Sequence, residues 1–301
     1  MCVFTYPVYI PSLNKSLYFK EFTNKQYKNF IKVILNDDIL SFNVFVNDLL
    51  CTLCPDINID DINVIDKLYI LYSLRAGNIG PILEFNIDME DNDDKVKFQI
   101  NVNDLLDKLE SIDLDLTSEI VEGGFCTKIS VPKLFSKGES LTDCMYDCIS
   151  EIKFKDKLIV MSSYTREQQI EILNNLPGTV IPKLMKLIES REKMLSAEPF
   201  IDINIDCELP FDKQMYLSLL NNSLYELVKL AFNTNLKEFY VYEYTLIKKF
   251  KFSYDHINSV TPAELHMYFN VISEDLEKEK KDREAQESGQ QFSPDGQNSI
   301  S

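Results

Sequence analysis

The segment Val64–Ala76 carries large apolar or aromatic side chains at eight of its thirteen positions. These positions surround a helix on all sides, whereas a surface helix has one apolar stripe, so the pattern predicts a buried helix. Arg75 followed by Gly77 is typical of a helix C-terminus. We predict a further helix before it, over Ser41–Leu53, and a strand after it, over Ile82–Ile87.

The N-terminal region is predicted to form a hairpin that leads into a helix. Tyr6–Ile10 and Ser16–Phe19 are short strand-like runs on either side of a turn, which favours two paired strands. Thr23–Gln26 has the spacing of a capping box, and Phe22 and Tyr27 stand at the two positions of a hydrophobic staple. Apolar residues then recur at helical spacing, which predicts one core-facing stripe.

The middle of the chain changes to a period of two. Val96–Val102 and Phe125–Val131 alternate between apolar and polar residues, as half-buried strands do. The acidic turn Asp88–Asp94 joins the first of them to Ile82–Ile87. We therefore predict an antiparallel meander of three strands, with helices returning from Leu141 onward.

The second half is predicted to be helical around one inserted strand, Phe200–Leu209. A capping box at Thr165–Gln168 begins the first of its helices, and another begins with a cap, a proline and a glutamate at Thr261–Glu264. Two more helices are predicted over Tyr216–Ala231 and over Leu236–Phe250, the latter rich in aromatic residues.

These elements predict an α+β fold that is mostly helical, with a small antiparallel β-meander in the middle and a short N-terminal hairpin. We divide it into an N-terminal α+β region (1–157) that contains the meander, a helical C-terminal region (158–280) and a tail (281–301). The last apolar stripe ends at Leu276, and the residues beyond it are charged or polar. They bury too little apolar surface to offset the entropy of ordering, so we expect a frayed helix that runs into a disordered tail.

Composition narrows the range of functions. The chain has 31 basic and 48 acidic residues and a net charge of −17, which argues against nucleic-acid binding because that needs a basic footprint. No apolar run is long enough for a membrane span, and the start lacks the pattern of a secretory signal. Seven scattered cysteines are more typical of reduced thiols in a cytosolic protein than of a disulfide framework.

Candidate catalytic and metal-binding residues do not form a recognisable constellation. Cys51 and Cys54 lack a second close pair for zinc, and His256 and His266 stand apart from any nucleophile motif. Asp88–Asp94 lacks the central glycine and terminal glutamate of a calcium loop. No glycine-rich phosphate loop is present. We expect no catalytic residue, metal or cofactor, and a metal-dependent hydrolase using the aspartate clusters is the remote alternative.

Three blocks resemble the baseplate hub assembly proteins of T-even-type contractile phages. Tyr9–Phe22 is similar to their LPS-x-G-K-x-x-x-Y/F-R-x-F start, although it lacks the glycine and has Lys20 where relatives often have arginine. Asp66–Gly80 is similar to their DRLYLLxxLRxxSVG segment. Leu236–Phe250, followed by Thr261–Glu264, looks like their C-terminal signature. The blocks occur in the family's order.

The resemblance implies a non-enzymatic chaperone for hub or central tail proteins, which acts in the host cytoplasm during virion assembly. The alternative is a structural baseplate subunit that is retained in the virion. Expected partners are phage baseplate hub or tail proteins, with no nucleic acid and no membrane; the oligomeric state stays open. We hypothesise that the aromatic C-terminal helix is the partner surface, with the following residues in contact: Phe239, Tyr240, Tyr242, Tyr244, Lys248 and Lys249.

Overall fold

A computed structural model describes residues 4–88, 95–111, 118–135, 147–183, 185–186, 199–202, 214–216, 223–232 and 236–290. The chain divides into two compact units. Unit 1 comprises Met1–Phe22 and Gln26–Thr234, and unit 2 comprises Thr23–Lys25 and Asn235–Ser301. The predicted α+β class, with helices and small antiparallel sheets, is confirmed. The predicted division at residues 157 and 158 stays a prediction.

The N-terminal hairpin is confirmed as strands β1 (Thr5–Ile10) and β2 (Lys15–Lys20), which pair antiparallel. Val8, Ile10 and Phe19 are buried on one face of this hairpin. The predicted hydrophobic staple is also present, since the rings of Phe22 and Tyr27 stack with their centroids 5.7 Å apart.

Three helices follow: α1 (Asn24–Asn36), α2 (Ile39–Leu53) and α3 (Val64–Asn78). The side chain of Asp38 caps α2 and that of Asn63 caps α3, because each accepts hydrogen bonds from amides that a helix start leaves without partners. Helix α3 is buried on all sides, as its apolar pattern predicts.

The predicted antiparallel pairing of the first two meander strands is confirmed, whereas the third predicted strand, over Phe125–Val131, belongs to a separate sheet. Strands β3 (Ile82–Asp88) and β4 (Lys95–Asn101) form their own hairpin, and helix α4 (Val102–Ser111) follows without having been predicted. A separate four-stranded sheet contains, in spatial order, β5 (Ser118–Glu122), β6 (Phe125–Ile129), β7 (Ile149–Phe154) and β8 (Lys157–Val160).

Turns of two residues join β5 to β6 and β7 to β8. Gly123 and Gly124 join β5 to β6 with φ of 58° and 82°, a conformation that glycine adopts without steric cost and that matches the twist of paired strands. Lys155, with φ of 53°, belongs to the equally short turn between β7 and β8. The prediction that helices return from Leu141 onward is wrong for this segment, because β7 and β8 are paired strands.

Helix α5 (Arg166–Asn174) begins at the predicted capping box, in which Thr165 and Gln168 bond reciprocally. It contributes to a core built with one face of the four-stranded sheet. This core contains the following buried residues: Ile120, Ile129, Cys148, Ile149, Ile152, Met161, Leu173, Leu176 and Val180.

The strand predicted over Phe200–Leu209 is present as β9 (Pro199–Asp202), and the remainder of that range lies outside the described residues. Its partner is β10 (Gln214–Tyr216). The helix predicted to start at Tyr216 therefore begins later, because Tyr216 pairs in the sheet, and helix α6 covers Ser223–Ala231.

Unit 2 contains helices α7 (Leu236–Phe250), α8 (Tyr254–Ser259) and α9 (Pro262–Gln290). The bounds predicted for α7 are confirmed. Helix α9 continues beyond residue 281, where the tail was predicted to start, since its Glu, Lys, Arg and Gln residues are good helix formers even without an apolar stripe. Residues 291–301 lie outside the described part. Among the described helices, none combines the length and apolar composition of a membrane span.

Candidate partner-binding surface

Helix α7 has a buried inner face. Phe239, Glu243 and Leu246 follow one another at spacings of four and three residues, and all three are buried. Because such spacings return to the same side of a helix, these residues define one stripe. The aromatic residues of α7 are therefore only partly available to a partner.

The opposite face of α7 is exposed and carries aromatic and aliphatic side chains. Tyr240, Val241 and Tyr244 are 42%, 52% and 65% exposed, and Lys248 lies one turn beyond Tyr244 on the same side, also exposed. Large apolar groups at such exposure on adjacent turns are more typical of an interaction surface than of scattered surface residues.

Tyr242 belongs to the packing of unit 2 and not to its outer face. Its ring lies against that of Phe269 in α9, with the centroids 4.2 Å apart. The structure thus divides the six predicted contact residues. Phe239 is buried and Tyr242 is half-buried, whereas the remaining four are exposed: Tyr240, Tyr244, Lys248 and Lys249.

Helices α8 and α9 are joined by a cluster of three rings. Phe252, His256 and Tyr268 lie with their centroids 5.6 to 6.0 Å apart. His256 is thus a stacked side chain of α8. The predicted cap of α9 is confirmed, since the amide of Thr261 donates to Glu264 at 2.9 Å and the amide of Glu264 donates to Thr261 Oγ1 at 3.2 Å.

The C-terminal end of α7 is basic. Lys248 and Lys249 occupy its last turn, and Lys251 follows with φ of 62° and donates from Nζ to the carbonyl of Lys248 at 3.1 Å. Within the described residues, Lys248 and Lys249 form no ion pair. Cations at this position are favoured by the helix dipole, and here they extend the exposed aromatic face with positive charge.

Unit 1 contains a buried polar network on α3 that the sequence pattern did not identify. The carboxylate of Asp66 accepts from the Ser12 amide at 2.9 Å, from the Ser12 hydroxyl at 2.5 Å and from the Asn63 amide at 2.9 Å. It therefore connects the turn of the hairpin to the start of α3. A buried carboxylate persists where its lone pairs are satisfied in this way.

The other end of α3 is fixed by Arg75 and Asn78. The guanidinium of Arg75 donates to three backbone carbonyls, those of Ala231, Gly80 and Ile82. Asn78 accepts from the amide of Phe22 and donates to the hydroxyl of Tyr6, and burial of that tyrosine raises its pKa. These contacts hold strands and helices around α3, a structural role.

Lys67 is a buried cation beside this network. Its side chain is 1% exposed, and Nζ donates to the carbonyl of Lys133 at 2.6 Å. Burial, and then the charge of Lys133, lower the pKa of Lys67 to about 8. Asn43 fixes the same segment further along, since it exchanges hydrogen bonds with the backbone of Phe135.

The residues weighed for catalysis or metal binding do not converge where they are described. Cys51 is exposed, whereas Cys54 is buried and burial raises the pKa of its thiol. His256 and His266 are both exposed. In the described part of the chain, no three His, Cys, Asp or Glu side chains form a group that could hold a metal ion. Most of the predicted acidic turn, residues 89–94, lies outside that part.

The sequence profile of the family described as T4 bacteriophage base plate protein matches residues 3–210, more than half of the chain. The chain belongs to this family. No curated protein and no solved structure matches it significantly. The region matched to the baseplate family contains the N-terminal hairpin and helix α3 with its polar network. Helix α7 lies beyond the matched region.

Proposed function

We propose that this baseplate-family protein is an assembly factor for the central hub, which binds hub or tail proteins before they enter the baseplate. Membership of the baseplate family supports the setting and the class of partner. The hub-specific role rests on the resemblance of the hairpin and α3 segments to hub assembly proteins. We also propose that the protein acts without catalysing a reaction.

The exposed face of α7 is the observation that carries this proposal. An assembly factor needs a surface that a partner can cover, and Tyr240, Val241 and Tyr244 give α7 such a surface. Tyrosine supplies a large contact area at a small entropic cost and keeps a polar hydroxyl, so it is enriched at protein interfaces. Tyr244 is the most exposed of the three and is our candidate for the energetic centre of the contact.

Co-expression tests this function. Each hub and tail protein encoded by the same phage is co-expressed with the tagged chain, and the complexes are isolated and weighed by native mass spectrometry. We expect a stable complex with at least one hub or central tail protein. Recovery of the chain alone in every combination would contradict the proposal.

A structural subunit retained in the virion is the second candidate, favoured by the family's own description. Quantitative mass spectrometry of purified virions separates the two roles. An assembly factor is absent or far below one copy per baseplate, whereas a subunit is present in a fixed ratio to the other baseplate proteins. Presence in a fixed ratio would show that the protein is a structural subunit and not an assembly factor. Its membership of the baseplate family would be unaffected.

A further inference from the structure

The outer face of α7 has a regular spacing that suits another helix. Lys237, Val241, Tyr244 and Lys248 are separated by four, three and four residues, and all four are exposed. This is the spacing by which one helix presents a continuous seam to a second helix. The buried inner stripe of Phe239, Glu243 and Leu246 lies on the other side of the helix with the same kind of spacing.

The charge of the seam is opposite to that of the chain as a whole. The net charge is −17, yet both ends of the seam are lysines, and Lys249 and Lys251 add to its C-terminal end. Glu243, one of the two glutamates of α7, is 4% exposed and lies on the inner face. A partner helix therefore meets apolar groups on Val241 and Tyr244 and cations at the C-terminal end of the seam.

We propose, building on the proposed function, that this seam binds an acidic amphipathic helix of a partner protein. Aliphatic side chains of that helix pack on Val241 and Tyr244, and its carboxylates face Lys248 and Lys249. Stabilisation of the helix end by cations accounts for the lysines of the last turn. It does not account for a valine and a tyrosine exposed on the same stripe, whereas a helical partner accounts for all of them.

A labelled synthetic peptide of about 20 residues tests this, since a helix of that length spans the seam at about 1.5 Å per residue. The probe has leucines at heptad spacing flanked by glutamates. One matched peptide has glutamine in place of glutamate, and another has serine in place of leucine. Fluorescence anisotropy with the full chain should show binding of the acidic leucine peptide, weakened by salt because screening reduces charge attraction.

Variants locate the binding. Lys248→Glu/Lys249→Glu should weaken binding by about tenfold or more, equivalent to about 1.4 kcal/mol, and Tyr244→Ala should weaken it by a similar factor. The matched control is Lys155→Glu/Lys157→Glu, which makes the same change in net charge at two exposed lysines around the β7–β8 turn. Circular dichroism confirms that each variant remains folded.

Several results would overturn the proposal. These are equal binding of the three peptides, equal loss in the two lysine pairs, or tighter binding of a single-stranded oligonucleotide than of the acidic peptide. If the chain forms a dimer and Lys248→Glu/Lys249→Glu abolishes that dimer, the seam binds a second copy of the chain and not a partner protein. None of these peptide results changes the outcome of co-expression with hub and tail proteins. The two experiments therefore test the helix-binding seam and the assembly role separately.

Discussion

The backbone amide of Ser12 donates a hydrogen bond of 2.9 Å to Oδ1 of Asp66, which is 54 residues away in sequence. Two of the blocks that resemble hub assembly proteins thus meet at one carboxylate. The resemblance has a physical basis here, because the serine of the hairpin turn donates hydrogen bonds to the aspartate of α3, and each residue needs the other as its partner.

Replacement of Asp66 by alanine should destabilise unit 1 by about 2 kcal/mol, since the part-buried hydrogen bonds that Ser12 and Asn63 donate to its carboxylate are lost. Ser12→Ala removes only the hydroxyl and should cost about 1 kcal/mol. The double variant should be scarcely less stable than Asp66→Ala, because the two residues share one interaction. Urea denaturation checks this, and additive losses would contradict it.

Arg75 should not tolerate lysine. Its planar guanidinium reaches the carbonyls of Ala231, Gly80 and Ile82, and a lysine ammonium lacks the fork that holds three acceptors together. We expect Arg75→Lys to lower the free energy of unfolding by about 2 kcal/mol. Arg166→Lys on α5 is the matched control, because its ion pair with Asp147 is part-exposed and contributes at most about 1 kcal/mol. Equal losses of stability in Arg75→Lys and Arg166→Lys would show that the three hydrogen bonds of the Arg75 guanidinium are not needed for stability.

Two tyrosines of α7 should separate packing from binding. Tyr242→Ala removes the ring that lies against Phe269, and we expect it to lower the stability of unit 2 by about 3 kcal/mol. Tyr244→Ala removes a ring that is 65% exposed and should change stability by no more than about 0.5 kcal/mol. Thermal denaturation followed by circular dichroism measures both. A large loss of stability in Tyr244→Ala would remove it from the candidate surface.

Long elements with a strong period were predictable from the sequence. Helix α3 was identified because apolar residues surround it, and α7 was assigned with its observed bounds. The four-stranded sheet was not identified, because β7 and β8 are short and are joined by turns of two residues that leave little local signal. Strand β6 pairs with β5 across the Gly123–Gly124 turn, which is a local hairpin signal, but its pairing with β7 joins residues that alternation alone does not connect, such as Ile129 and Ile149.

The sequence predicted that the candidate site is a helix. It did not predict which of the aromatic residues of that helix are buried and which are exposed. The prediction grouped Phe239 and Tyr242 with Tyr240 and Tyr244 as aromatic residues of one surface. The helical period itself would have separated them, since Phe239 and Leu246 share one side and Tyr244 lies on the other. The network of α3 was beyond sequence reasoning, because partners of its polar groups, such as the carbonyl of Ala231, lie more than a hundred residues away.

Lys67 should make stability depend on pH in the mildly alkaline range. Its pKa is about 8 in the folded chain, lowered by burial from its ordinary 10.5. Between these values the unfolded chain binds more protons than the folded chain, so stability rises with pH. Below pH 8 both states are protonated, and the folded state carries the full cost of a buried cation.

The comparison with Lys67→Met isolates this effect, because methionine keeps an unbranched apolar side chain and has no proton to release. From pH 7.5 to 9.5 we expect the natural chain to gain about 2 kcal/mol of stability relative to the variant. Because the chain has no tryptophan, far-ultraviolet circular dichroism in urea is the suitable measurement. Burial raises the pKa of Tyr72, so above pH 10 tyrosine ionisation favours unfolding, and the comparison belongs below that pH. Parallel pH profiles for the two proteins would show that Lys67 keeps its ordinary pKa at its position against Lys133.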